Sequence, residues 1–189
     1  MDILLGNSAT YYHGTIRQAP VPIREFHALS HFGTRQAALD TIARRWHRDG
    51  LRGIAEIYAV TIRVSRLLAV AEFHSNDAEV LLDAYKQAAH CEPRDYAAAK
   101  RELHAIAKRH ARSGPDEITR LTRDALAKRI AERFDAVVHE SRFEDPGCPS
   151  LCLVRPELAQ IEDRRDVDLS DIAVAWSKTR HLHDTKHVA

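Results

Sequence analysis

The apolar period of this chain changes twice, and those changes constrain the fold more than any single motif. From Gly53 to Glu72, Ile54, Tyr58, Val60, Ile62 and Val64 alternate with smaller or more polar residues. That two-residue period predicts one long strand or a hairpin arm half buried against a core, with Leu67, Leu68 and Val70 continuing the sheet. Between Asn76 and Arg133 the period becomes helical. Val80, Leu81, Ala84, Tyr85 and Ala88 form one face, Tyr96, Leu103, Ile106 and Ala107 a second, and Ile118, Leu121, Ala125 and Leu126 a third. Ser113-Gly114-Pro115 ends one helix and opens the next. Phe134 to His139 and Leu151 to Val154 return to strand, joined by a turn at Glu144-Asp145-Pro146-Gly147. Strands flanking a helical excursion define an α+β chain.

At the amino-terminal end, Leu4 and Tyr11 to His13 read as a short strand edge. The segment from Arg17 to Leu29 holds Pro20 and Pro22 and is predicted to be a loop. Thr34 is placed to cap a helix on which Ala38, Leu39, Ile42, Ala43 and Trp46 recur until Asp49-Gly50 stops it. Beyond Asp163 the sequence turns charged, and residues 164–189 are expected to form a partly disordered extension ending in a frayed, histidine-rich tail. There His181 and His183 lack the further ligands a metal site needs.

A chain of 189 residues is expected to form one domain. With 28 basic and 27 acidic residues, the formal net charge of +1 gives no global attraction to nucleic acid or anionic lipid. The helical excursion is locally basic, from Lys86 to Arg133, but Glu102, Asp116, Glu117, Asp124 and Glu132 are interspersed and base-stacking aromatics are nearly absent. That pattern reads as a solvated helix surface, which makes nucleic acid the weaker partner. No stretch approaches the roughly 20 apolar residues of a membrane span, and Met1 to Ala9 lacks the features of a secretory signal. The expected location is the cytoplasm, or a host cell reached without a classical signal. Cys91, Cys148 and Cys152 are odd in number and match no zinc spacing, so they are read as reduced thiols and no metal site is assigned.

Three separated segments carry a resemblance: Tyr11-Tyr12-His13-Gly14-Thr15, then Ser30-His31-Phe32-Gly33-Thr34 leading into Ala37-Ala38, and last Phe134 to Glu140 with Ser150-Leu-Cys-Leu-Val-Arg-Pro156. In this order they resemble the diphtheria-toxin and PARP-like branch of the ADP-ribosyltransferases, especially the compact forms of phage and bacterial conflict proteins. The strand ending at Val64, followed by Arg66-Leu67-Leu68, resembles that family's central strand and its exit. The resemblance spans most of residues 10–161 outside the helices. It implies a single domain over 1–163, in which two small, mostly antiparallel sheets form an NAD cleft. The helical insertion, 76–133, would lie between the central and C-terminal strands.

The resemblance also implies roles. His13 would bind the adenosine ribose, Gly14 would present its backbone to the nicotinamide amide, and Thr15 completes that motif. His31 stands where the family usually has Tyr, and its flat ring would stack on nicotinamide with Phe32 packed beneath it. Ser150 stands where many relatives carry the catalytic Glu. The acid is therefore sought nearby, with Glu140 as first choice and Glu144, beside Asp145 in the turn, as second. Strand alternation turns His139 away from Glu140 and so away from the site. The implied activity uses NAD as co-substrate and transfers ADP-ribose to a side chain of a target protein, as a bacterial effector, toxin or phage factor. Two alternatives stay open: a binding module that keeps the cleft but has lost the chemistry, and an enzyme that modifies nucleic acid.

Overall fold

The computed structural model describes residues 9–19, 21–70, 78–89, 91–141 and 144–184. Leu4 lies outside them. The fold is α+β, with two mostly antiparallel open sheets and, among the described residues, five α-helices. Strands β1 (Ala9–Arg17), β3 (Ile54–Ile62) and β7 (Ala159–Asp166) make the first sheet in the order β1-β3-β7. Strands β2 (Ser30–Phe32), β6 (Pro149–Leu153), β5 (Ala136–Glu140) and β4 (Leu67–Ala69) make the second, in the order β2-β6-β5-β4.

Helix α1 (Arg35–His47) follows β2 directly, and Thr34 Oγ1 accepts the Ala37 N–H at 3.1 Å as its N-cap, as the sequence predicts. Gly50, at φ +71°, takes the left-handed conformation that ends the run cheaply. Helices α2 (Ala78–Ala88), α3 (Pro93–Arg109) and α4 (Pro115–Ala131) form the excursion. They connect β4 to β5, the one parallel pair of the second sheet, and a parallel pair requires a long crossover. The insertion is therefore what allows β4 and β5 to pair in parallel.

Leu67 and Leu68 do not continue the sheet of β3, as the alternation suggested. After Ile62 the chain crosses to the other sheet. Asp135, buried at the start of β5, holds that crossing: its Oδ2 accepts from Ser65 N, Ser65 Oγ and Arg66 N at 3.0–3.1 Å, and its Oδ1 from Arg66 Nη2 at 2.7 Å. The helix faces are rotated as well. On α2 the buried side chains are Ala78, Leu81, Leu82 and Tyr85, while Val80 is 40% exposed, and on α4 they are Thr122, Leu126, Ala127 and Ile130.

Packing gives three apolar layers. Tyr58, Val60 and Ile62 of the first sheet meet Phe32, Ala136, Val138, Leu151 and Leu153 of the second, with Phe26 from the 18–29 loop among them. The opposite face of the first sheet, at Ala55 and Ile57, is covered by α1 and by Ile172 and Ala175 of α5 (Leu169–Asp184). The opposite face of the second sheet, at Leu68, Val137 and Cys152, is covered by α2, α3 and α4.

Regular structure continues past residue 164, where the sequence reads as the start of a charged, partly disordered extension. The end of β7 pairs Arg164, Arg165 and Asp166 with Tyr58, Ile57 and Glu56, and α5 continues to Asp184. The helix reaches the core through Ile172 and Ala175, 1% and 2% exposed, with Trp176 packed beside them. Among the described residues, no helix is long and apolar enough to cross a membrane.

Candidate functional site

The two amino-terminal motifs are brought together by backbone. Tyr12 N donates to Gly33 O at 2.9 Å and Gly33 N to Tyr12 O at 3.0 Å, an isolated antiparallel bridge joining the two sheets at β1 and β2. Beside it, His13 Nδ1 lies 2.8 Å from the His31 carbonyl oxygen. A carbonyl accepts only, so Nδ1 carries the proton and Nε2 of a neutral ring is left as an acceptor. Burial, followed by the charge of Arg45 and against the His31 hydrogen bond, lowers the His13 pKa to about 4, which keeps the ring neutral at physiological pH.

Strand alternation then divides the sequence-predicted residues between two faces. His13 projects between the sheets, its ring 5.2 Å from Phe26 and 5.5 Å from Phe32 between centroids. Phe32, 1% exposed, belongs to the same inter-sheet layer. Phe32, Leu151 and Val138 are register partners across β2, β6 and β5. Glu140 follows two residues after Val138 on that face and is exposed. At about 3.4 Å per residue and about 4.8 Å between strands, the backbones of Phe32 and Glu140 are about 12 Å apart, so the two are not in contact.

His31 and Ser150 lie on the other face. Phe32 therefore does not pack beneath His31, as the sequence reading had it; the His13 ring takes that position. His31 is cross-strand to Cys152, and Ser150, buried, is cross-strand to His139. His139 is buried, with its Nε2 3.8 Å from Cys152 Sγ and its ring 5.6 Å from that of His31. Alternation does separate it from Glu140, but it places His139 next to His31. Burial holds His31 well below its ordinary value, helped by the charges of His139, Arg123, His13 and Arg45, and burial likewise raises the Cys152 thiol.

Gly14 is needed for packing. A Cβ there would collide with the Ala38 carbonyl oxygen of α1, so the face that a nicotinamide amide was expected to meet is closed by the helix. Thr15 is buried opposite Glu56 in the β1–β3 register. Glu56 is 1% exposed and is held by Arg17 and by Tyr58 Oη at 2.8 Å, while Tyr58 Oη accepts the Ile23 N–H at 3.0 Å. Arg17 Nη1 also donates to the carbonyls of Ala19 and Val21 at 2.6 and 2.7 Å. This network pins the root of the loop that carries Phe26.

The turn acids are tied to α1. Glu144 N donates to Ser141 Oγ at 3.0 Å, and its carboxylate lies 3.5 Å from Arg44 Nη2. Asp145 accepts from Thr34 Oγ1, and its N–H donates to buried Asp40 at 3.0 Å. Asp145 thus serves the start of α1. Arg123 of α4 donates to the Leu29 carbonyl at 2.6 Å, two residues before His31. The sequence marks neither Arg45 nor Asp40 as part of a site and gives Cys152 only as a reduced thiol. No local signal marks these residues, because the strand register and the α1–turn contacts bring them together from positions some 100 residues apart.

All three cysteines are free thiols. No protein-family model, curated protein or solved structure matches the chain.

Proposed function

We propose that the chain transfers ADP-ribose from NAD to a protein side chain, acting as an effector, toxin or phage factor. One observation carries the reading. The His-Gly-Thr and His-Phe-Gly-Thr motifs, distant in sequence, are neighbours through the Tyr12–Gly33 bridge, and strand alternation gives His13 of the first sheet and exposed Glu140 of the second the same side as the inter-sheet layer.

In this reading His13 Nε2 accepts a hydrogen bond from a ribose hydroxyl. The nicotinamide–ribose bond breaks with its electron pair leaving on nicotinamide. The Glu140 carboxylate stabilises the cationic ribose and takes the proton of the side chain that attacks it. Glu144 remains the second choice for the acid.

A second reading, a binding module without chemistry, is favoured by the closure of Gly14 against Ala38 and by Phe26 lying between the sheets. Incubation with labelled NAD and a cell lysate separates the readings. The transferase yields labelled protein, lost in Glu140→Gln. A binding module yields NAD binding without label. A nuclease-sensitive label would move the target to nucleic acid. Neither binding nor label overturns both readings.

A further inference from the structure

The outer face of the second sheet holds a cluster that the proposed transferase chemistry does not use. His31 on β2, Cys152 on β6 and His139 on β5 project to the same side of three adjacent antiparallel strands, and their donor atoms all lie within 4.8 Å of one another. Direct cross-strand pairing sets His31 against Cys152, and His139 reaches Cys152 diagonally from beside Ser150. We propose that His31, His139 and Cys152 form a binding site for a borderline-soft divalent metal ion, with zinc as the natural occupant.

Two imidazoles and a thiolate are the donors that such an ion selects, and three protein ligands leave a fourth position for water or another group. Bond lengths of about 2.3 Å to sulfur and about 2.0 Å to nitrogen place tetrahedral S and N ligands about 3.5 Å apart. The Cys152 Sγ–His139 Nε2 separation of 3.8 Å is already close to that. The remaining adjustment falls on His31, the one ligand of the three that is not fully buried. The thiol proton leaves to solvent as the metal–sulfur bond forms, so no oxidant or reductant is required. The ligands are separated by 107 and 12 intervening residues, which is why no spacing in the sequence discloses them.

The test is titration of the full chain, stripped by chelator, with Co²⁺ and with Zn²⁺. The expected result is one equivalent of Co²⁺ giving a near-ultraviolet thiolate-to-cobalt band, displaced by Zn²⁺. Cys152→Ser should lose the band, and His31→Gln should weaken Zn²⁺ binding at least about tenfold, since loss of a ligand costs no less than loss of its supporting groups. Cys148→Ser and a His181→Gln/His183→Gln variant should bind as wild type. His31→Gln, at a half-buried position, keeps the test decisive if Cys152→Ser fails to fold. Absence of a thiolate band in wild type, or an unchanged Zn²⁺ affinity in folded His31→Gln, overturns the site and leaves a packed His–Cys core.

Discussion

Tyr12 and Gly33 exchange a pair of backbone hydrogen bonds, and this single bridge makes the edge of one sheet continuous with the edge of the other. Everything proposed for His13 depends on it, because the bridge sets the His13 ring against the His31 carbonyl and the Phe32 ring. His13→Phe keeps the ring packing and removes the donor. We expect a stability loss of about 1 kcal/mol by urea denaturation, the size of one buried hydrogen bond. NAD-dependent labelling should fall far more steeply than stability.

Glu140 is exposed, so its replacement should not disturb the fold. Glu140→Gln is expected to leave the melting temperature within a degree or two and to reduce labelling by about a hundredfold or more, the scale of a lost general base. Glu144→Gln should have a small effect on labelling. If the two variants exchange behaviour, the acid is Glu144.

Gly14→Ala tests the claim that α1, and not a ligand, imposes this glycine. The added methyl group meets backbone, which cannot swing aside as a side chain can. A destabilisation of about 1–3 kcal/mol is expected from overpacking. Unchanged stability in denaturant titration would mean that α1 is not seated on β1.

Asp135 gives the fold a dependence on acid pH. Burial raises its pKa, but hydrogen bonds from Arg66 and Ser65 outweigh that and hold it well below the usual carboxylate range. A carboxylate depressed in this way contributes stability that is present above its unfolded pKa of about 3.9 and is lost as pH falls toward the folded value. Asp135→Asn should therefore cost about 2–3 kcal/mol at pH 7. The difference from wild type should shrink as unfolding is measured at successively lower pH below about 4.

Ile172, 1% exposed, is the main apolar anchor of α5 on α1. Ile172→Ala is expected to cost about 2–4 kcal/mol in chemical denaturation. A neutral result would restore the reading of this segment as a loose extension.

The order of elements was written into the sequence wherever a period or a cap was local. The Thr34 cap, the Gly50 stop, the Gly114-Pro115 start of α4 and the β5–β6 hairpin all follow from residues that act on their own neighbours. β7 was hidden because charged side chains dominate it, and only contact with β3 and α1 shows which residues of β7 and α5 are buried.

The candidate site divides along the same line. The sequence named His13, Phe32 and Glu140, and they share the inter-sheet side; it also named His31 and Ser150, which the register sends to the opposite face. Whether a side chain faces one layer or the other changes with a single residue of strand phase, and that phase is fixed by pairing partners far away in the chain. Local chemistry therefore determined the elements and the residue types. Long-range pairing alone decided that His31, His139 and Cys152 meet.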